Sequence, residues 1–114
     1  MKLVLIGDGE SPHLLKWARA LVPHVELYAA SSRGFLPEFD GVLAKERRLA
    51  LNLSPRFAGG NAAVLRGLPR LVRWLKLIRA DWLHAHYLTS HGTLAWLAQR
   101  YAGVPGRMVG SAWG

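Results

Sequence analysis

Apolar residues in this chain fall in short unbroken runs, separated by longer stretches of helical period. Leu3 to Ile6 is continuous and aliphatic, then stops at Gly7-Asp8-Gly9. A run without alternation predicts a strand buried on both faces, the pattern of parallel sheets. Ser11-Pro12 follows, with Ser as a helix cap and Pro at the first helical position. Leu14, Leu15, Ala18, Leu21 and Val22 recur at helical spacing, with Lys16 and Arg19 opposite, and Pro23 ends the helix. Val25 to Ala29 then reads as a second strand. The chain opens with a β-α-β unit.

The middle is less regular. Ser31 to Gly41 reads as a loop holding Gly34, Pro37 and Gly41. Arg47 to Leu53 fits a strand with Leu49, Leu51 and Leu53 on one face, although its Ala and Asn weaken the pattern. Gly59-Gly60-Asn61 is a break. From Ala62 to Arg79 the period is helical, and Pro69 must kink that helix or start a new one. Trp82 to Tyr87 predicts a strand, and Ser90 caps a helix reaching about Tyr101. Gly103-Val104-Pro105-Gly106 closes that helix before a last strand, Arg107 to Trp113. Strands alternating with helices predict an α/β fold, a mainly parallel sheet flanked by helices.

Length and composition narrow the class. A chain of 114 residues suffices for one domain with a core. Its hydrophobic fraction of 51% excludes a disordered basic tail. With no cysteine, a disulfide scaffold, a Cys-ligated zinc site and a thiol nucleophile are excluded, and a reducing compartment fits. No run approaches the ~18–20 apolar residues of a membrane span. The apolar start is shorter than the ~7–15 residues of a signal-peptide core. The expectation is a cytoplasmic protein.

In open α/β sheets, ligands bind beyond the carboxyl ends of the strands. Three places qualify: Gly7-Asp8-Gly9, His84-Ala85-His86-Tyr87 and Ser111-Ala112-Trp113-Gly114. The first lacks the third glycine of a dinucleotide fingerprint and the Gly-Lys-Ser/Thr ending of a P-loop. It reads as a tight strand-to-helix turn, or as room for a sugar or phosphate. On a strand, His84 and His86 point to one side. They can be a buried pair, one edge of a substrate pocket at His86, or, with His91, the start of a metal site. The metal reading is the weakest, because neither Asp nor Glu occurs after Asp81 to supply a further ligand.

The formal charge of +8 is unevenly placed: Arg66, Arg70, Arg73, Lys76 and Arg79 fall on one helical stretch without an acid. Leu65, Leu68, Leu71, Val72, Leu75 and Ile78 gather opposite them. Such a helix either packs its leucines on the sheet and solvates its basic face, or lies on anionic lipid. Nucleic acid is not expected, since no recognition motif accompanies the charge. Trp17, Trp74, Trp82 and Trp96 fall at core or core-edge positions. Spacing defines no Ser-His-Asp, paired-carboxylate or nucleophile-elbow arrangement.

Asp81-Trp82-Leu83-His84-Ala85-His86-Tyr87-Leu88-Thr89-Ser90-His91-Gly92 resembles the Asp-Val-Val-His-Ala-His-Tyr strand and helix start of family 4 glycosyltransferases. Ser111-Ala112-Trp113-Gly114 is similar to the beginning of their Ser-x-Trp-Gly-Ser-Asp segment. The opening Lys2 to Gly7, with His13 and Trp17-Ala18, matches in order and spacing. The resemblance implies the N-terminal, acceptor-side half of a GT-B architecture, Rossmann-like and incomplete at 1–114, with the donor-binding C-terminal domain absent.

By position it implies a donor phosphate loop at Gly7, Asp8 and Gly9, and an acceptor side at His86, Tyr87, Ser90 and Trp113. Trp113 stands where many relatives carry a histidine, so no imidazole role passes to it. The implied chemistry is retaining, metal-independent transfer of a sugar from a nucleotide-sugar to a hydroxyl of a glycan or lipid acceptor. It needs no cofactor beyond that donor, works with the chain's own C-terminal domain, and is catalytically silent in this fragment alone. Arg66, Arg70, Arg73, Lys76 and Arg79 would be the membrane or anion face of an enzyme peripheral to the inner side of the membrane. The alternatives are a non-catalytic flavodoxin-like module holding a small anion at Gly7 to Gly9, and a basic interaction domain for lipid or nucleic acid.

Overall fold

The structure is a computed structural model that describes residues 1–52, 66–86, 99, 103 and 106–111. Five strands form one sheet: β1 (Lys2–Gly7), β2 (Glu26–Ser31), β3 (Arg48–Ala50), β4 (Trp82–His86) and β5 (Arg107–Ser111). Their order is β3-β2-β1-β4-β5, and every neighbouring pair is parallel. β1 lies in the middle, which explains its uninterrupted aliphatic run. Val4, Leu5 and Ile6 are at most 1% exposed because both faces and both edges are covered.

The two helices whose spans lie among the described residues cover opposite faces. Helix α1 (Pro12–Leu21) starts as the sequence predicts, with Ser11 Oγ accepting from the His13 amide at 3.2 Å and Pro12 in the first turn. It buries Leu14, Leu15 and Ala18 against Leu5, Leu27 and Ala29. Helix α2 (Leu68–Ile78) buries Leu71, Leu75 and Ile78 against Val4, Ile6, Ala30, Leu83 and Ala85. Alternate residues of β1, β2 and β4 therefore serve alternate helices, the period-two rule applied to a sheet with two apolar faces.

Pro69 starts a new helix, one of the two outcomes the sequence allows: it lies in the first turn of α2, after Gly67, where its missing amide costs nothing. Two boundaries differ from the sequence expectation. Strand β2 continues past Ala29 to Ser31, through small residues that carry little hydrophobic signal. The strand expected over 47–53 is only Arg48–Ala50. It breaks because Asn52 takes a left-handed φ of 53°, where an L-residue cannot continue a ladder. Between β2 and β3 the expected loop contains a 3-10 turn at Pro37–Gly41, which plants Phe39 in the α1 core, and a second follows at Lys45–Arg47. Leu65, Trp96 and the helix expected from Ser90 lie outside the described residues.

Candidate functional site

The chain adds β2 and β3 to one side of β1, and β4 and β5 to the other. At such a reversal the loops leaving two adjacent strands turn toward opposite faces, and a crevice opens between them. The strands flanking this switch point are β1, ending at Gly7, and β4, ending at His86. They are neighbours, and their last residues touch: a methyl group added at Gly7 would stand 3.2 Å from the His86 Cβ and 3.2 Å from Leu14 Cδ1. Any side chain at Gly7 would crowd this junction. Two of the sequence candidates, at positions 79 residues apart, are thus brought together.

His84 and His86 both face α1, as their spacing predicts. Their ring centroids are 4.6 Å apart, and the Trp17 indole meets each ring edge-on, at 5.2 and 5.7 Å. His86 is 1% exposed and forms the inner wall of the junction. Burial holds the half-buried His84 below its ordinary pKa, which favours the neutral imidazole. Among the described residues, no group of three His, Cys, Asp or Glu side chains is placed to hold a metal ion. His91, Tyr87, Ser90 and Trp113 lie outside the described residues, while Ser111, at the end of β5, is in register with His86.

The turn after β1 is built for closeness. A Cβ at Gly9 would lie 2.4 Å from the Gly34 carbonyl oxygen and 2.6 Å from a Phe35 ring carbon. Only glycine allows that approach. The amides of the turn are largely committed internally. Gly9 donates to Ser31 Oγ at 2.8 Å, Glu10 to Asp8 Oδ1 at 2.9 Å and Ser11 to the Asp8 carbonyl at 3.0 Å. Asp8 and Glu10 flank the exposed Arg33, whose guanidinium reaches them at 3.7 and 3.6 Å.

Ser31 and Arg33 carry no signal in the sequence pattern, which ends the second strand at Ala29, two residues before its observed end. The signal that finds them is position alone: they lie at and just beyond the carboxyl end of a strand adjacent to β1.

Arg66, Arg70, Arg73, Lys76 and Arg79 are all exposed, on or beside the outer side of α2 and across the sheet from the histidine pair. Their leucine partners Leu71 and Leu75 are buried against the sheet, so no free leucine face accompanies them. Arg70 is engaged, donating to the carbonyls of Ala50 and Leu51 at 3.3 and 3.5 Å. Beside the cations, Leu77 is 79% exposed. Among the described residues, no helix is long and apolar enough to cross a membrane.

An open parallel sheet with helices on both faces, reversing its strand order beside a glycine turn, defines a Rossmann-like α/β domain. The glycosyl transferase 4-like family matches residues 2–114, and the chain belongs to that family. No curated protein matches the chain at a significant level.

Proposed function

We propose that this domain forms the acceptor-side half of a glycosyltransferase that moves a sugar from a nucleotide-sugar to an acceptor hydroxyl. The observation that carries the reading is the meeting of Gly7 and His86 at the switch point of a family-matched sheet. In this reading the bond from the anomeric carbon to the diphosphate oxygen breaks as the acceptor oxygen bonds to that carbon. The hydroxyl proton passes to the departing diphosphate oxygen, so the products are the glycosylated acceptor and the protonated nucleoside diphosphate. Retention of configuration and independence from a metal are part of the proposal and follow from the family resemblance.

Gly7, Asp8 and Gly9 would stand nearest the donor phosphates. Because their turn holds its own amides, its contribution is close approach by backbone without side chains, with Arg33 as the nearby cation. His86, Tyr87, Ser90 and Trp113 would face the acceptor, a glycan or lipid. The solvated cations Arg66, Arg73, Lys76 and Arg79 would meet anionic lipid by charge, with the exposed Leu77 as the apolar contact.

The test is sugar transfer by the longest natural chain that contains residues 1–114, supplied with a panel of nucleotide-sugars and acceptors. Acceptor-dependent release of nucleoside diphosphate is expected, falling about a hundredfold or more in His86→Gln if His86 orients the acceptor. A folded protein that releases no diphosphate with any donor overturns the reading.

A further inference from the structure

We draw no further inference here: the strongest candidate, the surface patch that Met108 and Val109 expose on β5, at the edge of the described sheet opposite β3, carries nothing, because nothing in the structure shows what covers it.

Discussion

Gly9 donates its amide to the Ser31 hydroxyl at 2.8 Å, and Ser31 donates in turn to the Gly34 carbonyl at 2.7 Å. The same oxygen accepts from the Arg33 amide at 3.1 Å. One buried side chain thus joins the turns that leave β1 and β2. Ser31→Ala strips a partner from two amides and one carbonyl, and unsatisfied groups of this kind cost about 1–3 kcal/mol each before any water replaces the hydroxyl. A net loss of about 2–4 kcal/mol is expected, measured as a lower urea midpoint.

The two glycines of the first turn should respond differently to a methyl group. At Gly9 the obstacle is a backbone oxygen at 2.4 Å, so Gly9→Ala must part the β1 and β2 turns. At Gly7 the contacts are 3.2 Å to side-chain atoms of His86 and Leu14, which can yield by a few tenths of an ångström. Gly9→Ala should therefore cost more than the ~1–3 kcal/mol of ordinary overpacking, and Gly7→Ala should fall within or below it. Equal midpoints for the two variants in denaturant titration would contradict this.

Helix α2 has a decisive buried side and a dispensable outer one. Leu75 is 1% exposed in the core, and Leu75→Ala should cost about 2–5 kcal/mol. Leu77, two residues on, is 79% exposed, and Leu77→Ala should change stability by no more than about 0.5 kcal/mol. If the outer face meets lipid, Leu77→Ala and Arg73→Ala should each lower sedimentation with anionic vesicles while leaving the urea midpoint in place.

His84 makes stability depend on pH in a definite direction. Burial lowers the His84 pKa below the ordinary histidine value of about 6.5, so in acid the unfolded chain binds more protons than the folded one. The stabilisation is complete above the unfolded value, declines as pH falls through 6.5 towards the lowered folded value, and levels off below it. Denaturant midpoints taken from about pH 8 down to about pH 5 should show this acid decline, and His84→Asn should flatten it. An identical acid slope in the variant would assign the decline to other groups.

The parts of this molecule that depend on near neighbours were legible in its sequence. The aliphatic run of β1, the Ser11-Pro12 start of α1, the common side of His84 and His86 and the leucine side of α2 all follow from local period and capping chemistry. The motif around His84 and His86, with the match over residues 2–114, also carried the family. Where signal was lost, small or polar residues were buried. Ala30 and Ser31 complete β2 at 1% and 0% exposure, yet neither looks apolar enough to mark a strand.

Only the tertiary structure decided which loops meet. Strand order is a matter of pairing between distant segments, and no local pattern states that β1 sits between β2 and β4. That order sets Gly7 against His86 and makes their junction the candidate site. Local sequence determined the elements and the faces they bury; the long-range packing of those faces decided which of their ends meet.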